Sequence, residues 1–98
     1  MRVRIRVPTQ LRDLVAGATV LELDVASDTD TTATVETVLD GLARAHPALE
    51  RRIRDEQGRT RPHVNVFVGS DNVRDRSGTA TPIAAGDELT IIPAVSGG

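Results

Sequence analysis

Thr34-Val35-Glu36-Thr37-Val38-Leu39-Asp40-Gly41-Leu42-Ala43-Arg44-Ala45-His46-Pro47 decides the fold, because the hydrophobic period changes there and nowhere else in the chain. Val35, Val38, Leu39, Leu42 and Ala45 recur at i, i+3, i+4, i+7 and i+10, one face of an amphipathic helix. Thr34 is the expected N-cap, since its hydroxyl can accept from a free amide of the first turn. Glu36 suits the positive end of the helix dipole, and Arg44 and His46 suit its negative end. Pro47 is expected to stop the helix. Gly41 inside it is about 1 kcal/mol less favourable than alanine.

On both sides of this helix the period is two. Val3, Ile5 and Val7 alternate with Arg2, Arg4 and Arg6, a half-buried strand that Pro8 ends. Gln10 to Ala16 reads as a polar connecting turn punctuated by Gly17. Alternation returns over Thr19 to Val25, so the chain opens with a hairpin. Ser27 to Thr32 is polar and reads as a loop. Beyond Pro47, Ala48 to Arg54 supports a further helical turn, and the charged remainder up to Pro62 reads as a mobile loop.

His63 to Val68 is the next strand, followed by a turn at Gly69-Ser70-Asp71-Asn72 and a short strand at Val73-Arg74. A polar stretch from Asp75 to Pro82 and a turn at Ala85-Gly86-Asp87 lead to the final strand, Glu88 to Ile92. The order strand, strand, helix, strand, short strand, strand predicts an α+β protein of the β-grasp type. Its mixed sheet has four to five strands, with one main helix packed on one face. Residues 1–92 form the domain, and residues 93–98 an extended flexible tail ending in Gly-Gly.

In that sheet the last strand lies between the first and third. If Val3, Ile5, Val7, Val64, Val66, Val68, Leu89 and Ile91 face the helix, the opposite face carries Arg2, Arg4, Arg6, Asn65, Phe67, Thr90 and Ile92. Phe67 and Ile92, flanked by Arg4 and Arg6, then make an apolar centre with a cationic rim, which suits a transient partner-binding face.

Composition removes most other functions. Ninety-eight residues make one domain with a single core. There is no cysteine, hence no disulfide, thiolate metal site or thiol nucleophile. All 12 cationic side chains are arginine, so the chain offers no side-chain amine for isopeptide bonds. A formal net charge of −2 argues against nucleic acid as a partner. No apolar run has the length of a membrane span and the N-terminus is strand-like, so no membrane association is expected and the cytoplasm is the expected location. His46 and His63 belong to different elements and predict no metal site. No phosphate-cradling glycine motif occurs, and Ser70, Ser77 and Ser96 lack an accompanying base. Catalysis by this chain alone is not expected.

The remaining anomaly is the ending, Ile92-Pro93-Ala94-Val95-Ser96-Gly97-Gly98. Pro93 disfavours helix before it, so the tail should leave the sheet extended. Glycines without a Cβ can enter a tunnel that rejects any side chain. A terminal carboxyl with a pKa near ~3.5 is ionised at neutral pH and a poor acyl electrophile. An ATP-using partner is needed to activate it.

The β-grasp order, the turn Ala85-Gly86-Asp87-Glu88 and the ending Ile91 to Gly98 resemble the ThiS/MoaD family of ubiquitin-like sulfur carriers. Val7-Pro8-Thr9 with Leu11, the strand Val64-Asn65-Val66-Phe67-Val68, the segment Asp71-Asn72-Val73-Arg74 and the Pro-Ala-Val ending are most similar to its cysteine-biosynthesis (CysO) branch. The resemblance implies a carrier, not an enzyme, that binds no permanent cofactor. An E1-like enzyme would adenylate Gly98 with ATP, and a sulfur donor would displace AMP to leave a thiocarboxylate. Pro93, Ala94, Val95, Ser96 and Gly97 would be the arm entering partner active sites. In the CysO branch the implied acceptor is an activated serine on a PLP-dependent cysteine synthase, and a metallopeptidase then releases the product. The molybdopterin branch pairs the carrier with the large synthase subunit, and the ThiS branch serves the thiazole of thiamin. A ubiquitin-like protein modifier and a plain β-grasp interaction module are the remaining readings.

Overall fold

The computed structural model describes residues 1–25 and 32–93. In chain order the strands and helices are β1 (Arg2–Arg6), β2 (Val20–Asp24), β3 (Thr32–Thr34), α1 (Val35–Ala45), α2 (Pro47–Ile53), β4 (Val64–Val68), β5 (Asp71–Asn72), β6 (Pro82–Ala84) and β7 (Glu88–Pro93). Five strands form one mixed sheet in the order β2-β1-β7-β4-β5, with β1 and β7 parallel and the other pairs antiparallel. The fold is β-grasp, as the order of periodicities predicts.

Alternation decides which face is covered. Val3, Ile5, Val7, Val64, Val66, Leu89 and Ile91 are all buried, and they meet Val35, Val38, Leu39 and Leu42 of α1 in one core. Val68 is partly buried against it. α1 starts where its sequence signal places it: Thr34 is extended, and its Oγ1 accepts from the Thr37 amide at 3.3 Å. Gly41 has a packing reason for its lost helix propensity. A Cβ there would lie 3.1 Å from Val25 Cγ1, so the missing side chain lets α1 settle onto the end of β2.

Several segments differ from their sequence reading. The expected polar turn at Gln10 to Ala16 is a 3-10 helix, Thr9–Val15, that buries Leu11 and Val15. Two apolar residues four apart were too few to mark it against its polar neighbours. Pro47 ends α1 and also begins α2, standing at its first turn where its missing N–H is no loss. α2 is more than a stray turn, because Leu49 and Ile53 are fully buried.

The expected mobile loop after α2 is a hydrogen-bonded turn. Asp55 Oδ1 accepts the amides of Gln57 and Arg59, both at 2.9 Å, and Gly58 takes a φ of 80° that favours glycine. Val73-Arg74 belongs to a short 3-10 helix, Val73–Asp75, and the short strand is the preceding Asp71–Asn72. Thr32, expected in a loop, begins β3, which pairs with β6 at the end of the supposed polar stretch. Residues 27–31 of that loop lie outside the described residues.

α2 and α1 are clamped together by one buried cation. Arg54 Nε donates to Glu50 at 2.8 Å and an Nη to Asp40 at 3.0 Å, joining α2 to α1 with the guanidinium nearly out of solvent.

Because Leu49 and Ile53 belong to the main core, Leu49→Ala and Ile53→Ala should each cost about 2–5 kcal/mol in urea unfolding. A loss under about 1 kcal/mol would mean that α2 is peripheral.

Candidate functional site

The open face of the sheet is set by register. Thr90 on β7 lies between Arg6 on β1 and Phe67 on β4, and Asn72 on β5 lies beyond Phe67. One row towards the end of the chain, Ile92 is opposite Asn65. One row back, Glu88 is opposite Arg4. Phe67 and Ile92 are thus diagonal neighbours on adjacent strands, close enough for an aromatic ring to reach. Ile92 is 47% exposed and Phe67 half-buried, a small apolar centre.

Its rim is less cationic than Arg2, Arg4 and Arg6 alone would make it, because two of the three are paired with carboxylates. Arg6 grips Glu88 with two hydrogen bonds, at 3.0 and 3.5 Å. Arg2 holds Asp24 at 3.0 and 3.3 Å. Among the described residues Arg4 has no ion-pair partner within bonding distance. The hydrogen bond from Arg6 holds the Glu88 carboxyl below its usual range, and that from Arg2 does the same for Asp24. These groups are exposed, so their pairs contribute little to stability and more to the charge pattern of the open face.

β7 carries the chain out of this face. It runs one residue further than Ile92, because Pro93 still pairs with Val64. Arg74 braces that exit. Its guanidinium donates to the carbonyls of Arg61 and Val64, each at 2.8 Å, and its Nε to Asn65 Oδ1 at 3.3 Å. The start of β4, which is what Pro93 pairs with, is therefore held by a side chain ten residues further along the chain.

The structure brings Phe67, Ile92, Arg4 and Arg6 onto one face, with Pro93 at its edge. Ala94, Val95, Ser96, Gly97 and Gly98 lie outside the described residues. The sequence reading gave no role to Glu88 or Arg74. Glu88 is opposite Arg4 but bonds Arg6, a diagonal choice that only the register shows. Arg74 binds backbone carbonyls, which leave no mark in a sequence. His63 is exposed, while the His46 amide donates to the Leu42 carbonyl at the end of α1. Among the described residues no group of three His, Cys, Asp or Glu side chains is placed to hold a metal, and no helix is long and apolar enough to cross a membrane.

A five-stranded β-grasp sheet with one face on α1 and a central last strand leading out of it is the body of a ubiquitin-like carrier. The ThiS family model matches residues 5–98, and the chain belongs to that family. The sulfur carrier protein CysO of Mycobacterium tuberculosis is 34% identical over 100 aligned positions, covering 100% of both chains. Small archaeal modifier protein 1 of Haloferax volcanii is 44% identical over 84 residues, 86% of this chain and 87% of that protein. Among solved structures, the Amycolatopsis orientalis BexX/CysO complex contains a chain that superposes with a TM-score of 0.82 at 31% identity, covering 98% of this chain and 99% of that one. The family is one of sulfur carriers and ubiquitin-like modifiers, small carrier proteins and not catalysts.

The lowered carboxyls give the fold a defined acid response. A group whose folded pKa is depressed contributes stability above its unfolded pKa and loses it as pH falls through the folded value. Asp24, Asp55 and Glu88 are all depressed, Asp55 chiefly by the Arg59 amide. Stability should hold at neutral pH and decline from the ordinary carboxyl values, 3.8 for Asp and 4.5 for Glu, downward. Glu88→Gln should make that decline shallower in urea midpoints measured against pH. An unchanged slope would show that the Arg6 pair is not formed in solution.

Proposed function

We propose that this chain is a sulfur carrier for cysteine biosynthesis, with Gly98 as the atom-bearing end. What carries the reading is the full-length match to CysO, end to end in both proteins, together with a family match that runs through residue 98. The likeness to a CysO chain bound to BexX supports a life spent docked on partner proteins.

The chemistry follows from a carboxylate with no side chain beside it. A carboxylate oxygen of Gly98 attacks the α-phosphorus of ATP on an E1-like enzyme, and pyrophosphate leaves. Sulfide sulfur then attacks the acyl carbon, the C–O bond to AMP breaks, and a thiocarboxylate remains. Its sulfur would then bond Cβ of an activated serine on a partner cysteine synthase as the serine's activating group leaves, with PLP supplying the electrophilic character. The Gly98 acyl group shifts from sulfur to the amine, and the resulting carrier–cysteine amide is open to hydrolysis. A metallopeptidase releases cysteine from the carrier. This chain's residues bind and present: Phe67, Ile92, Arg4 and Arg6 form the grip, and Pro93 to Gly97 thread the end into each active site. A cycle that consumes ATP fits a cytoplasmic location.

A second reading is supported by the 44% identity to small archaeal modifier protein 1. Gly98 would then end in isopeptide bonds to lysines of other proteins. The chain has no lysine of its own and would always be the donor in such bonds.

Incubation with ATP, sulfide and the cognate activating enzyme should raise the intact mass by the difference between one sulfur and one oxygen. Subsequent cysteine synthase and activated serine should add a cysteine residue. Deleting Gly98, or replacing Gly97 with leucine, should abolish both gains and leave the melting temperature unchanged, since Ile91 is the last core residue among the described residues. No mass gain with the wild-type chain would sink the carrier reading. Lysine-linked adducts in cells, without the cysteine adduct, would favour the modifier.

A further inference from the structure

Beside the exit of β7 lies a groove of about 290 Å³, between the end of that strand and the corner where β1 gives way to the Thr9–Val15 helix. Its floor includes a backbone group left without its ladder partner. The Glu88 carbonyl accepts from Gly69 on the β4 side, and the Asp87 carbonyl accepts from Arg4 on the β1 side. Strand alternation then turns the carbonyls of residues 87, 89 and 91 towards β1. The β1 amides that face β7 are those of Arg4, Arg6 and position 8, because the Val7 amide points the other way, to the Thr19 carbonyl at 2.9 Å.

Position 8 is proline, which has no N–H. The β1–β7 register accordingly stops at Arg6 and Thr90. The Ile91 carbonyl loses its donor, and no loop amide among the described residues replaces it. Pro93, the next residue with this orientation, has no N–H to offer either. The open edge therefore presents acceptors and wants a strand that donates.

The walls say what kind of strand. Ile92 and Pro93 are apolar. Arg6, already held by Glu88, and Arg12 are the charged residues of the lining, which contains no carboxylate of its own. Arg12 spends its Nε on the Val7 carbonyl at 3.1 Å and has no ion-pair partner among the described residues. A guanidinium without an ion pair and an unpartnered carbonyl in one groove match an acidic, extended peptide.

We propose that this groove seats an extended acidic segment of a partner protein, which adds beside β7 and donates a backbone N–H to the Ile91 carbonyl. Strand addition of this kind takes affinity from main-chain bonds and selectivity from side chains at alternate positions. Here it would lock the base of the tail just before the residues that enter the partner. The inference rests on the carrier reading, with partner enzymes gripping the body, and adds where and by what chemistry one of them does so.

The experiment is an NMR titration of the intact chain with a short blocked peptide of alternating glutamate and valine. The Ile91 carbonyl and the amides of Thr9 to Arg12 and Thr90 to Ile92 should shift. Two control peptides, one with lysine for glutamate and one N-methylated at alternate amides, should bind at least about tenfold more weakly. Pro8→Ala restores an N–H where β1 lacks one, so it should weaken peptide binding while keeping or raising the melting temperature. Arg12→Gln should weaken binding severalfold, with a melting curve confirming the fold. Shifts centred on Phe67 instead, equal binding of either control peptide, undiminished binding by a folded Pro8→Ala variant, or no shift at all would each overturn the proposal. The titration involves no sulfur transfer, so its failure leaves the mass gain at Gly98 unaffected, and the reverse holds as well.

Discussion

The seating of β7 between β1 and β4 is the constraint on which everything else depends. Leu89 and Ile91 enter the core with almost no exposure, and each such side chain contributes roughly 1.5–3 kcal/mol on burial. That burial fixes the register, because a slip of one residue would put Thr90 and Ile92 inside and Leu89 and Ile91 outside. The same register places Ile92 beside Asn65 and diagonal to Phe67, and brings Pro93 to the sheet's edge. A central last strand is also a firm anchor: a pull on the end of the chain is opposed by ladders on both sides of β7.

Against that core, the charges of the open face are minor in energy. Exposed pairs such as Arg2 with Asp24 or Arg6 with Glu88 are worth about 0–1 kcal/mol each. Their consequence is a pattern. Two arginines are held by carboxylates, while among the described residues Arg4 has no ion pair on the same face and Arg12 none beside the exit strand. Arg54 is the contrasting case, a cation almost wholly buried and bonded to Glu50 and Asp40. Removing either acid would leave a buried charge poorly compensated, which costs more than the pair itself contributes. The Arg54 cluster is thus part of the architecture, and the open-face arginines are part of the exposed surface.

Membership of the ThiS family joins these two halves. A carrier that works on several partners needs a body that does not change and an end that enters each of them. Proline serves that division twice. At position 93 it stands at a site of β7 whose amide faces away from β4, so pairing with Val64 costs no hydrogen bond. At position 8 it ends β1 early and leaves the tail's base open along one edge.

The sequence by itself determined the class of fold, the main helix with its Thr34 cap, and the face that each residue of β1, β4 and β7 takes. Those follow from local periodicity, and burial of an alternating strand has only one solution. It also singled out the Gly-Gly ending, because composition had removed every rival group. Only the tertiary structure decided that Leu11, Leu49 and Ile53 belong to the core, that Thr32 and Pro82 share a second small sheet, and that residues 55–59 form an ordered turn. These segments are short, and their apolar residues are too few to show a period. Arg74 on backbone carbonyls, the pairing of Arg6 with Glu88 and the missing donor opposite Ile91 depend on which strands become neighbours. Contacts such as that of Arg6 with Glu88, 82 positions apart, have no local signature, so the pairing of strands had to be seen before they could be read.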